Sequence, residues 1–353
     1  MFSLILFTPE EIFLGIYTIL ALQVIFILYT FFKSIKKLRL FSKKEEWSKK
    51  IDEEIFLQIF EEKTGFNPAF TNDIKSKNFK LLFIEKLNKA LISFSGLSNS
   101  KIANIYNIYK LDKFAFKRLD HKNPYQVATA IRNVTFMNIE KAIPKIEQLL
   151  LHPNNTVQEE AMFSLVKFLG YDGLEIVNNS NIYLSDWQQI KLLSTLNEIP
   201  FNHNENIIKW LNSTNESVVI ITLKIIKKFQ LLEFEDYILK HLTGFNPKIT
   251  AQAIKTFDTV NSSNTAHQLI ELYPYQSTEN QLELLRIIKN IGTDDQKYFL
   301  IGEAIHHPNL TIKKRAIKAL LNIISTEETF TLLEATENPK TKEILDLIIL
   351  ESK

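Results

Sequence analysis

The sequence predicts an all-α fold, an α-solenoid of helical pairs preceded by a single transmembrane helix, on three observations. The 353 residues include only 8 Gly and 10 Pro, too few for the turns of β-hairpins or for phosphate-binding loops. Residues 12–32 form a run of 21 positions without a charged side chain. Beyond residue 120, a turn signal followed by a branched apolar residue recurs about every 31 positions. A composition of 45% hydrophobic and 23% charged residues excludes a disordered or collagenous chain. With no Cys there are no disulfides, thiolate nucleophiles, iron–sulfur clusters or cysteine-bearing zinc sites, so stability must come from packing.

The first helix has a defined start. Residues 1–8 form a short external N-terminus, and Thr8-Pro9-Glu10-Glu11 supplies an N-cap, a first-turn proline and an acid three residues after the cap. At about 1.5 Å per residue the uncharged run reaches ~31 Å, the thickness of a bilayer's hydrocarbon core, and the span is assigned to residues 9–33. Tyr17 and Tyr29 lie toward opposite ends of it, where interfacial aromatics belong. Acids precede the run and lysines follow it, the reverse of a cleavable signal peptide, so the helix reads as an anchor. Gln23 and Thr30 share a stripe seven residues apart and mark an expected contact with another transmembrane helix.

Lys33, Lys36, Lys37, Arg39, Lys43 and Lys44, followed by Lys49 and Lys50, hold the basic excess. Residues 33–50 sum to +6, while residues 1–32 and 51–353 each sum to −2. By the positive-inside rule this juxtamembrane segment, 34–50, faces the cytoplasm, giving an N-out, single-pass protein whose bulk is cytoplasmic. The segment is also expected to touch anionic lipid headgroups, at ~1 kcal/mol per basic residue.

Residues 51–120 read as a helical N-terminal cap, with helices at 51–62, 78–92, 98–109 and 111–119 broken at Gly65-Phe-Asn-Pro68 and Ser95-Gly96. Residues 121–353 hold the repeats. The clear copies are HKNPYQV at 121–127, HPNNTV at 152–157, NSTNESV at 212–218, GFNPKI at 244–249 and HPNLTI at 307–312. Their anchors, Val127, Val157, Val218, Ile249 and Ile312, are 30, 61, 31 and 63 apart. The two doubled gaps predict weaker copies, met by SDWQQI at 185–190 with Ile190 as anchor and STENQL at 277–282 with Leu282. An eighth copy is ENPKTKEI at 337–344. A small residue follows four positions after several anchors, at Ala161, Thr222, Ala253 and Ala316, where helices must approach closely. No such pair can bury both its apolar stripes alone, so neighbours must stack.

With a proline near the turn and a "V, three residues, A" pattern opening the second helix, residues 120–350 resemble HEAT repeats of the short bacterial kind. GYDGL at 170–174 and LSDWQQ at 184–189 are also similar to membrane-anchored HEAT proteins of Bacteroidota. The second helices depart from the family in carrying only Arg132, Arg286 and Arg315. The resemblance implies a fold and a protein-binding role, not a reaction.

Catalytic, cofactor and metal sites are not expected. His121, His152 and His307 sit at nearly equivalent repeat positions, 31 and 155 residues apart, and equivalent positions one period apart lie about 10 Å from each other, too far to share an ion. They read as turn residues. Asp294-Asp295 and Glu327-Glu328 read as first-turn acids that complement helix dipoles. No nucleophile elbow, phosphate loop or His-Glu-x-x-His motif occurs. The expected function is therefore that of a non-enzymatic, membrane-anchored protein–protein interaction scaffold, an accessory subunit on the cytoplasmic face of an integral-membrane complex; the resemblance implies a bacterial inner membrane and a cell-envelope system. Its expected partner is an integral-membrane protein. The alternative is a membrane-associated nucleic-acid-binding or processing HEAT protein. The −2 charge of residues 51–353 opposes it; convergence of Lys167, Lys224, Lys255 and Lys318 on one concave stripe would favour it.

Overall fold

The computed structural model describes residues 9–61, 65–93, 98–199, 203–334, 344 and 348, and among these there are 18 α-helices and no β-strand. The chain divides into two compact units, residues 1–160 and 161–353. The first contains α1 (Pro9–Phe60), α2 (Lys77–Ser93), α3 (Ser98–Ile108), α4 (Leu111–Lys117), α5 (Pro124–Phe136) and α6 (Ile143–Gln148). The division falls inside α7 (Asn155–Leu169).

Helix α1 starts at Pro9; Thr8, its expected cap, lies outside the described residues. It does not stop at the end of the apolar run but continues unbroken for 52 residues. No proline and only Gly15 interrupt it after Pro9, so nothing in the basic segment terminates the backbone hydrogen bonding. Its two ends behave differently. Side chains from Phe13 to Phe32 are exposed almost throughout, whereas Trp47, Ile51, Ile55 and Ile59, spaced four apart, are buried on one stripe. Trp47 meets Phe79 edge to face at 5.4 Å, and Phe79, Phe70, Phe83 and Tyr109 continue the cluster at 4.9–5.8 Å. Each such pair adds about 0.5–1.5 kcal/mol beyond its area burial. Of the residues that read as the cap's first helix, 51–62, those from 51 to 60 are thus the last turns of α1 itself. Glu54, on the same stripe, is buried and accepts from Gln58, from the Tyr109 hydroxyl at 2.9 Å and from Asn67 at 2.6 Å. Three neutral donors satisfy the carboxylate and tie the Gly65–Pro68 turn to α1. Helix α4 packs on α5 as the first helix of a pair.

The second unit continues with α8 (Tyr171–Asn179), α9 (Asp186–Thr195), α10 (Asn204–Leu211), α11 (Glu216–Phe229), α12 (Glu235–Lys240), α13 (Pro247–Thr256), α14 (Thr265–Leu272), α15 (Thr278–Ile291), α16 (Lys297–His306), α17 (Leu310–Ile323) and α18 (Thr326–Glu334). Within it, α10 packs on α11, α12 on α13, α14 on α15 and α16 on α17, while α9, α11, α13, α15 and α17 pack in succession. This is an α-solenoid of helical pairs. Its period shows directly in the hydrogen bonds. Asn215 Nδ2 donates to the Ile182 carbonyl (3.0 Å), Thr259 Oγ1 to Lys227 (3.1 Å), Gln276 Nε2 to Leu242 (2.9 Å) and Asn322 Nδ2 to Lys289 (2.9 Å), each joining residues 32–34 apart. The eighth copy, at 337–344, lies outside the described residues except for Ile344, which is buried.

The turn signals act as caps. Asn123, Asn154, Asn215, Asn246 and Asn309 each accept, through Oδ1, from backbone amides of the following first turn. In the weak copies Ser185 and Ser277 do the same, and Ser185 forms a capping box with Gln188. Counting from the cap corrects one anchor. Ile190 is 54% exposed and is not the core residue expected of it, whereas Leu282 is partly buried, as is Ile249 of a clear copy. Seven positions after the cap stand Ala130, Ala161, Leu192, Thr222, Ala253, Leu284 and Ala316, all fully buried. At the third position the weak copies carry Gln188 and Asn280 where the Asn-capped copies of 157, 218, 249 and 312 carry Val or Ile. At the seventh position the weak copies carry Leu, larger than the Ala or Thr of the others and fully buried.

Candidate interaction surfaces

The apolar half of α1 presents the first surface. Between Phe13 and Phe60, α1 is long and apolar enough to cross a membrane, and its most apolar stretch buries nothing against the rest of the chain. Gln23 is exposed, and the Thr30 hydroxyl donates to the Ile27 carbonyl (2.9 Å) of its own helix. Lys33, Lys36, Lys37, Arg39, Lys43 and Lys44 are all exposed. Lys33 lies over the Tyr29 ring and Lys43 over Trp47, at 5.7 and 5.1 Å.

The histidines are placed by the caps. His121, His152 and His307 each accept at Nδ1, at 3.0 Å, from the amide of the capping Asn two residues on. Each ring serves its own turn. Asp294, Asp295, Glu327 and Glu328 stand in first helical turns, and Lys297 links Asp294 (2.9 Å) to Glu328 (3.2 Å).

The second helices of the solenoid form another surface. Nine positions after their caps, α11, α13, α15 and α17 carry Lys224, Lys255, Arg286 and Lys318. Lys255 and Lys318 are exposed; Lys224 and Arg286 are partly buried. Burial pulls the Lys224 ammonium below the usual lysine value; Asp186 opposes this, and nearby Lys255 adds to it. The Glu283 carboxylate at 2.9 Å and Asp258 at 3.1 Å hold the Arg286 guanidinium above its ordinary value. Burial raises Asp258, but Arg286 and Lys227 outweigh it and hold the carboxyl below the usual range.

Of the four lysines singled out in the sequence, three share this register and Lys167 does not. It lies thirteen positions after its cap and is depressed by burial. Arg286 completes the row. Sorting by residue type hid it, whereas counting from the caps finds it.

Charge is segregated between the helices of these pairs. Helices α11, α13, α15 and α17 hold eleven Lys and Arg against three Glu, and their partners α10, α12, α14 and α16 hold three Lys against five Asp and Glu. The near-neutral total concealed this division.

The turns within pairs expose large apolar side chains. In the second unit these are Tyr183, Trp187, Phe245, Tyr275 and Leu310. Phe245 and Tyr275 rim a cleft of about 500 Å³ floored by Leu242, Pro247 and Leu272. Beside it, burial holds the His241 imidazole below its ordinary 6.5. The unfolded chain therefore takes up the proton first, and His241 costs stability as pH falls through 6.5 toward its lower folded-state value. Thermal melts at about pH 7.5 and 5.5 should show a smaller loss of Tm for His241→Gln than for the wild type.

No protein-family model matches the chain, and no curated protein matches it. Among solved structures it is similar to an engineered protein, at 14% identity over 77% of this chain and 85% of that one with a TM-score of 0.38. A second engineered protein is 15% identical over 60% of this chain and 95% of its own, with a TM-score of 0.29. A structure of tubulin recruitment by microtubule polymerases with tumor overexpressed gene domain arrays is 12% identical over 79% and 78%, with a TM-score of 0.29. At these scores the likenesses carry no argument, and the helical-repeat fold rests on the chain's own registers and contacts.

Proposed function

We propose that the protein is a membrane-anchored interaction scaffold of the HEAT type, single-pass and N-out in a bacterial inner membrane, acting as an accessory subunit of an integral-membrane complex. The observation that carries this reading is the division of labour along α1. Its first half offers a bare apolar surface, and its last four turns are built into the core of the first unit. An anchor continuous with a core stripe is a stalk rather than a tether. The fourteen residue steps from Lys33 to Trp47 place the folded unit roughly 20 Å along the helix from the hydrocarbon edge. Confinement near the membrane raises the effective concentration of the solenoid for membrane-bound partners. The contact expected at Gln23 and Thr30, and the lipid contact of Lys33 to Lys44, belong to the same proposal.

Two measurements on the full chain test it. Protease added to inverted inner-membrane vesicles should digest the solenoid; full protection would overturn the orientation. Capture from mild detergent should retain an integral-membrane protein, and recovery of the chain with no membrane protein would remove the accessory-subunit reading. Truncation at residue 51 is not a clean control, because it strips Trp47 from the first core.

A further inference from the structure

We propose that Lys77, Lys80 and Arg118 form a binding site for a phosphate monoester, a function beyond the scaffold reading and independent of it. The three cations come from elements packed on one another in the first unit: Lys77 and Lys80 from the first turn of α2, and Arg118 from the end of α4 where it meets α5. Arg118 is only 8% exposed, and its Nε and Nη1 have no hydrogen-bond partner. Arg132 has Glu160 at 2.9 Å, and Arg286 has Glu283 and Asp258; Arg118, more buried than either, has no carboxylate partner among the described residues. Burial pulls its guanidinium below the ordinary value, and no acid offsets this. Its one hydrogen bond runs from Nη2 to Gln126 Oε1 (3.2 Å), which also accepts from Lys77 Nζ (3.4 Å). Two charged donors thus converge on one neutral oxygen, at distances longer than the ~2.7–2.9 Å usual for bonds to an anion. A phosphate oxygen in place of the Gln126 amide would satisfy both. Lys80 and Arg118 also pack on the same Phe114 ring, at 5.3 and 5.8 Å.

The local charge favours a dianion. Helix α2 has no acid in its first turn, so Lys77 and Lys80 add to the positive end of the helix instead of offsetting it. The acids nearby in sequence are engaged elsewhere: Asp73 faces Lys50 at 4.0 Å, Glu85 faces Lys89 at 2.8 Å, Asp112 faces Lys141 at 3.4 Å and Asp120 faces Lys145 at 2.6 Å. Neither Lys77 nor Lys80 has a carboxylate partner among the described residues. Three cations without an acid suit a phosphate monoester, which carries a charge of about −1.5 to −2 near neutral pH, better than a singly charged carboxylate or phosphodiester. Inorganic phosphate and the headgroup of phosphatidic acid share this chemistry.

The test is a calorimetric titration of inorganic phosphate into the full chain in neutral detergent micelles, in phosphate-free buffer at about pH 7.5. Saturable binding of one phosphate is expected, weakened about tenfold or more in Lys77→Gln/Lys80→Gln. Without phosphate that variant should melt at the same temperature or slightly higher, because it removes two cations from the positive end of α2. Lys113→Gln/Lys122→Gln, which removes neighbouring cations outside the site, should stay within about threefold of the wild type. No binding to the wild type, or an equal loss in both variants, would overturn the proposal. So would an oligonucleotide that binds more tightly than phosphate and depends on Lys77 and Lys80. A second arm repeats the titration with phosphatidic acid in the micelles. Suppression of the phosphate heat there, and not by phosphatidylcholine, would support the site with a lipid source; an undiminished heat would support it with a soluble one. If the double variant lost structure, Lys77→Gln would replace it, with weaker phosphate binding again expected and unchanged affinity overturning the proposal.

Discussion

Arginine at both Ile19 and Phe26 is expected to remove the chain from the alkali-resistant membrane fraction. Both side chains are exposed in the uncharged half of α1, and seven residues apart they lie on one face. A central arginine costs about 2.5–3.5 kcal/mol on insertion-based scales, so the pair costs roughly 5–7 kcal/mol, which exceeds what the remaining apolar residues return at these positions. The Trp47 to Ile59 stripe is untouched, so the first unit should keep its helicity while the protein leaves the pellet. If the doubly substituted chain stays in the alkali-resistant pellet, residues 9–33 are not a membrane span.

Gly173→Ala should be the most damaging single-methyl change in the second unit. A Cβ at Gly173 would overlap the Leu165 carbonyl oxygen and stand 2.9 Å from Val166 Cα, both backbone atoms that cannot swing away. The clash forces α8 off α7 and should cost about 2–3 kcal/mol, read as a fall in urea midpoint. Gly302→Ala is the contrast. Its Cβ would meet nothing within 4 Å, and the site is helical, so the same methyl should stabilise by about 0.5–1 kcal/mol. Loss of stability at both positions, or at neither, would sink the packing argument for Gly173.

Those two glycines show the limit of reading a chain in one dimension. Both stand beside apolar residues in helical stretches, and what separates them is a neighbouring backbone that the local sequence does not mention. Glu54 is similar. With Gln58 four residues on it resembles a solvated helix face, yet it lies on the stripe of Trp47 and Ile51, and only the returning Asn67 and Tyr109 make that position satisfiable.

The all-helical class, the period, the caps and the apolar run were determined by the sequence alone. Each depends on local chemistry: Asn or Ser accepting the first amides of a helix, Pro ending one, and 21 uncharged residues matching a bilayer. Registers and surfaces were decided by the tertiary structure. Whether Ile190 or Leu192 enters the core depends on the volume that neighbouring helices leave, and whether lysines on separate repeats form one stripe depends on how second helices stack. The joining of α1 to the core belongs there too, because the uncharged run and the basic segment are a permissible helix in isolation and only the docking of Trp47, Ile51, Ile55 and Ile59 ties that helix to the first unit.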